Sequence, residues 1–141
     1  MKLTPQTVLK LPKNKSRYMF TIFQILNSNY KSLNFKEDNE MKLFTKSQLD
    51  KLVDNHKKQD GTKSFKAVVK LFNPTGQGTW YLSEYDPITD VAFGLCHIFE
   101  KELGYVDIKE LKEYKGMLGL GIERDLHFES NKLTLDDCRT L

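Results

Sequence analysis

From Met41 onward the spacing of apolar positions changes repeatedly, and each change marks an element. Leu49, Leu52, Val53 and His56 recur at helical spacing. Just ahead of them Phe44, Thr45, Gln48 and Leu49 stand in the order of a hydrophobic staple around a capping box: Thr45 caps, Gln48 reaches back, and Phe44 packs on Leu49. The spacing predicts a helix that QDGTKS (59–64) ends. FKAVVKLF (65–72) is rich in β-formers, NPTGQG (73–78) is a turn, and TWYLSEY (79–85) returns antiparallel. Asp86-Pro87 opens a turn into VAFGLCHIF (91–99), a third strand, and EKELGYVDI (100–108) supplies a fourth. Asp107 and Glu110 repeat the capping logic before a short helix, Ile108 to Tyr114, which Lys115-Gly116 terminates. IERDLHFE (122–129) alternates as a strand does, and the tail LTLDDCRTL is expected to make only peripheral contacts.

The predicted fold is α+β: an antiparallel β-meander of four to five strands, an N-terminal helix packed on one face, and a short helix after the fourth strand. It occupies residues 41–141 as a single domain. Residues 1–40 read as an N-terminal extension whose order the pattern does not fix; its one apolar run, YMFTIFQIL (18–26), is flanked by KNKSR and NSNYKS. That run is short, contains Thr and Gln, and is followed by no small-residue cleavage site, so it is not read as a signal peptide. No stretch approaches the ~20 apolar residues of a membrane span, and a cytoplasmic location is expected.

Composition changes this picture little. A chain of 141 residues with 39% hydrophobic residues buries a real core. Cys96 and Cys138 form no CxxC and have no zinc-like histidine spacing, so neither a disulfide nor a metal nor a cofactor is expected. Charge is more suggestive. Residues 1–70 carry 15 Lys/Arg against 6 Asp/Glu, and residues 71–141 carry 7 against 13. A basic first half favours an acidic partner or nucleic acid. Yet the cations are dispersed lysines, arginine is confined to Arg17, Arg124 and Arg139, and no aromatic-interleaved RNA-binding signature is present.

Three constellations are candidates for chemistry. Gly116, Gly119 and Gly121 leave a helix and precede a strand, the reverse of a phosphate-binding loop, so they read as a helix cap and turn. Glu123, Asp125, His127 and Glu129 share one face of IERDLHFE, but alternate strand residues lie about 7 Å apart and converge poorly on one ion; a solvated face is favoured. The third is GTWYLSEYDP (78–87). A period of two puts Trp80 and Leu82 on one face with Glu84 and Asp86, while Leu126 and Phe128 turn inward beside Arg124. Burying either charge alone costs several kcal/mol, so Glu84 and Arg124 are expected to pair. The pair reads first as a structural bridge. The second reading is a site in which Arg124, Glu84, Asp86 and the phenol of Tyr81 or Tyr85 bind a polar or anionic ligand or do acid–base work. No nucleophile–base pair accompanies them: Ser83 has no partner histidine, Cys96 lies in an apolar strand, and His56 and His97 read as surface or core positions.

The run KLFNPTGQGTWYLSEYDP, then VAFGLC, ELGYV and GLGIERDLHFE, resembles the domain-of-unknown-function 2958 family. Its members share a WxLxExDP element, an FGL strand, an ELGYV element and a GLxxERDLxF segment. The resemblance covers about residues 41–135 and carries over Trp80, Leu82, Glu84, Asp86, Pro87, Gly94, Gly104, Tyr105, Glu123, Arg124 and Asp125. Two departures stand out: Gly121 occupies a common proline position, and members commonly start near Met41. The resemblance implies a bacterial protein carried by plasmids, conjugative elements or phage-like regions, beside genes for DNA processing and anti-restriction. It implies no activity. The function expected is therefore a non-catalytic binding module with a protein or nucleic-acid partner. The alternative is a small enzyme acting on a polar or phosphorylated substrate at Glu84, Asp86 and Arg124.

Overall fold

The computed structural model describes residues 43–141. The expectations for residues 1–40 and the Tyr18–Leu26 run lie outside the described residues. Helix α1 (Lys46–Lys58) begins as its sequence dictates: the Thr45 hydroxyl accepts from the Gln48 N–H and the Gln48 side chain accepts from the Thr45 N–H. Phe44 is buried and Leu49 packs against the same cluster, so the staple closes too. His56, Lys57 and Lys58 occupy the last turn, where cations complement the helix dipole.

Strands β1 (Val69–Phe72), β2 (Thr79–Asp86), β3 (Val91–His97) and β4 (Lys101–Asp107) form the antiparallel meander, and α2 (Ile108–Glu113) follows with Asp107 as its cap. The chain then crosses the α1-bearing face, from Ile108, whose N–H bonds the Asp90 carbonyl, to Tyr114, whose hydroxyl accepts from Asn73 at the opposite end of the sheet, and adds β5 (Glu123–Arg124) beside β1, giving the order β4-β3-β2-β1-β5. A last helix, α3 (Leu135–Cys138), ends the fold. The α+β architecture is the one the sequence predicts.

α1 lies on β2. Leu52 meets Val69, Leu71, Trp80, Leu82, Tyr85 and Ala92 in one core on that face. Fully burying Leu52 stabilises by about 1.5–3 kcal/mol. Ile108, Leu111 and Ile122 pack into the same core, which anchors the crossing to β5. On the other face Tyr81 and Leu95 meet Leu135 and Cys138, with Phe93, Phe128 and Leu133 at the margin.

Four local expectations are corrected. The first half of FKAVVKLF leaves the sheet: Lys66 bridges Thr134 and the Ala67 N–H bonds the Leu133 carbonyl, because the C-terminal segment competes successfully for this backbone. The third strand stops at His97, leaving Ile98 and Phe99 in the turn. IERDLHFE pairs over two residues only. The Asp125 carboxylate accepts the His127 N–H at 2.9 Å, a local bond that folds the chain into a turn. Phe128 still packs inward, but Leu126 is 77% exposed. Finally, the tail is not peripheral: a capping box between Thr134 and Asp137 starts α3 and seats Leu135 and Cys138 in the core.

A bulge interrupts the regular alternation of β2. Leu82 pairs with Gly94 and Glu84 with Phe93, so Ser83 is an extra residue. Asn55 of α1, itself buried, donates to the Ser83 carbonyl at 2.8 Å and ties the helix to the bulge. Gly94 is required opposite it, since a Cβ there would overlap the Tyr81 carbonyl oxygen.

Candidate functional site

The bulge redistributes the residues that the sequence groups together. Residues directly opposite in an antiparallel ladder share a face. Trp80 and Leu82 therefore face α1, whereas Glu84, opposite Phe93, belongs to the other face. Arg124 pairs with Leu71, and Leu71 with Trp80, which sets Arg124 on the α1 side, four residues along β2 from Glu84. The ladder thus separates the expected Glu84–Arg124 pair.

The remaining residues of GTWYLSEYDP have local tasks. The buried Glu84 carboxylate accepts from Gln59, the residue that ends α1, at 2.8 Å. The Tyr85 hydroxyl donates to Asp90 at 2.6 Å while its ring leans on Phe44. Asp86 closes the turn to β3 by accepting from the Ile88 N–H and the Thr89 hydroxyl. Burial pushes the Asp86 carboxyl up, but those two bonds and nearby His56, 3.9 Å away, outweigh it and hold the carboxyl below its ordinary value. Trp80 is buried, its ring packed over Gly78.

The concave surface lies elsewhere, on the face away from α1. A groove of about 630 Å³ runs between the β1–β2 and β3–β4 turns, lined by Lys70, Phe72, Thr79, His97, Phe99 and Asp125 together with both turns. Asn73 orders its rim by donating to the Gln77 carbonyl and the Tyr114 hydroxyl and accepting from Thr75. Asp125 also borders a second hollow of about 320 Å³ with His127, Phe128 and Lys132.

At the join, Lys70 Nζ meets Asp125 at 2.9 Å, above the Tyr81 ring at 5.8 Å. The Asp125 N–H bonds the Lys70 carbonyl, so the β1–β5 ladder itself sets this pair. Lys70 holds the Asp125 carboxyl below the usual carboxylate range, and Asp125 raises the Lys70 ammonium above its ordinary value. Burial pushes the Tyr81 phenol up. These shifts run opposite to those of acid–base catalysts, whose pKa values approach neutrality. Burial also raises the thiols of Cys96 and Cys138, which makes them poorer nucleophiles. Among the described residues no three His, Cys, Asp or Glu side chains are placed to hold a metal ion, and no helix is long and apolar enough to cross a membrane.

Of the residues that line the groove, the sequence pattern singles out Asp125 and His97, but in other roles. The signal for the groove is weak: Lys70 and Asp125 lie 55 positions apart, and only the β1–β5 pairing joins them. Fold and groove define a small α+β domain with one helix-covered face and one open, grooved face. Residues 43–135 match the family described as Protein of unknown function (DUF2958), and the chain belongs to that family. No curated protein and no solved structure matches the chain.

Proposed function

We propose that this domain is a non-catalytic binding module that takes a segment of a protein partner in the groove between the β1–β2 and β3–β4 turns. The observation that carries this reading is the division of labour in the groove. Its lysine and aspartate neutralise each other, while Phe99 stands 85% exposed beside neutral hydrogen-bonding groups on Asn73, Gln77 and Thr79. Pockets that combine apolar walls with a few placed polar groups suit an apolar or aromatic side chain on an extended peptide. Nucleic acid is the weaker choice, because residues 43–141 hold 14 Lys/Arg against 16 Asp/Glu. The enzyme alternative loses support because Glu84 is engaged with Gln59 and Asp86 with its own turn. We place the module in the cytoplasm, serving a plasmid, conjugative element or phage, in DNA processing or anti-restriction.

The test is selection of peptides from a random displayed library on the full chain, followed by NMR footprinting. Selected peptides should carry an aromatic residue and perturb Phe72, Thr79, His97 and Phe99, and Phe99→Ala should weaken binding at least tenfold. A footprint away from the groove, or duplex DNA binding that falls steeply with salt, would overturn the reading.

A further inference from the structure

Strand β4 is outermost in the sheet, and among the described residues no strand pairs with its outer edge. It runs for seven residues in regular register with β3, without proline or bulge, and apart from the Lys101 carbonyl, which accepts from Arg139 Nη1 at 2.7 Å, it presents the kind of open backbone edge that most edge strands disguise. Its sequence is self-complementary. Set antiparallel to itself about Gly104, Lys101-Glu102-Leu103-Gly104-Tyr105-Val106-Asp107 puts Lys101 opposite Asp107, Leu103 opposite Tyr105 and Gly104 opposite Gly104. Each favourable cross-strand pair then occurs twice, as a two-fold axis requires. Moving the axis to Leu103 or Tyr105 sets Asp107 against Phe99 or Leu103 and loses both ion pairs.

The side chains are placed for this use. Leu103 and Tyr105 lie on the open face, opposite Leu95 and Phe93, and are 47% and 78% exposed. The Tyr105 ring leans on Phe93 at 5.1 Å between centroids, which fixes its direction before any partner arrives. Lys101 Nζ donates to the Arg139 carbonyl at 2.7 Å and, as an ammonium, has two further protons. Asp107 caps α2 through Oδ1, and Oδ2 takes no part in that cap.

We propose that the chain forms a two-fold dimer by antiparallel pairing of β4 with β4 of a second copy, in the register centred on Gly104. The two sheets become one continuous sheet, and the Leu103–Tyr105 rows join across the axis. The groove reaches the β3–β4 turn through Ile98 and Phe99, beside the Lys101 end of β4, while the rest of its lining, on β1, the β1–β2 turn and Asp125, lies away from the two-fold axis.

The test uses the full chain in sedimentation equilibrium. Wild type should dimerise reversibly. The double variants Leu103→Lys/Tyr105→Lys and Leu103→Glu/Tyr105→Glu, both at exposed positions, should each weaken the dimer at least tenfold, and an equimolar mixture of the two should recover it. Gly104→Cys adds a second readout. A Cβ there meets no atom within 4 Å, and opposed Cα atoms in an antiparallel pair lie about 4.5–5.5 Å apart, within disulfide range. Mild oxidation should give a covalent dimer that wild type, with its own two cysteines, does not form. A wild type that stays monomeric, charge variants that dimerise as wild type does, or a mixture that fails to recover would each overturn the proposal. Retained peptide binding by the monomeric variants would show that the groove reading survives whichever way the dimer is decided.

Discussion

On one face of the sheet the 13-residue α1 lies over β2 and shuts Leu52 away completely; on the other, the four-residue α3 covers Tyr81 and Leu95 and leaves Phe99, Leu103 and Tyr105 in water. Length explains most of this. A helix of 13 residues spans about 20 Å and one of four about 6 Å, and the eight-residue strand β2 on which α1 lies is about 26 Å long. The same strands therefore carry a closed core and an open surface. The exposed apolar residues of the open face are the remainder that a short helix cannot reach, and they coincide with the groove and the β4 edge.

Truncating one leucine beneath each helix breaks the comparison most sharply. Leu52→Ala should cost about 3–4 kcal/mol in urea unfolding, and Leu135→Ala about 2, since Leu135 is 6% exposed within the smaller of the two clusters whereas Leu52 is wholly buried in the larger. Equal losses would mean that the second face is as closed as the first.

The Lys70–Asp125 pair gives a smaller and pH-dependent effect. The Asp125 carboxyl, depressed by Lys70, contributes above its unfolded value of about 3.8, and its contribution is lost as pH falls through the lower folded value. The Lys70 ammonium, raised by Asp125, contributes below about 10.5 and is lost as pH rises through the higher folded value. Asp125→Asn should therefore flatten the acid limb of the stability profile below about pH 4 and cost no more than about 1 kcal/mol at pH 7. An unchanged acid limb would remove the pair from the account of how the β1–β5 junction is held.

The smallest effect on stability belongs to the open surface. Phe99→Ser should change unfolding free energy by less than about 0.5 kcal/mol, while Phe99→Ala should weaken peptide capture at least tenfold. A stability loss near that of Leu135→Ala would make Phe99 a core residue instead.

Much of the fold was legible because its determinants are local. The Thr45 and Gln48 box, the turn at Asn73–Gly78 and the Asp86-Pro87 turn each act over a few residues, and successive strands joined by such turns can only form a meander. The Thr134–Asp137 box was equally readable, although the tail around it reads as peripheral. The Ser83 bulge was not readable, because nothing in TWYLSEY distinguishes a paired serine from an extra one; Asn55 and Gly94 decide that from 28 and 11 residues away.

The elements, their order and the family can be read from the residues alone, since capping, turn chemistry and apolar period are properties of short segments. The site follows from long-range pairing. A one-residue bulge reverses the faces of a strand, so Glu84 parted from Trp80 and Arg124. The return of the chain to β1 brought Asp125 to Lys70, and the shortness of α3 left the groove and the β4 edge uncovered.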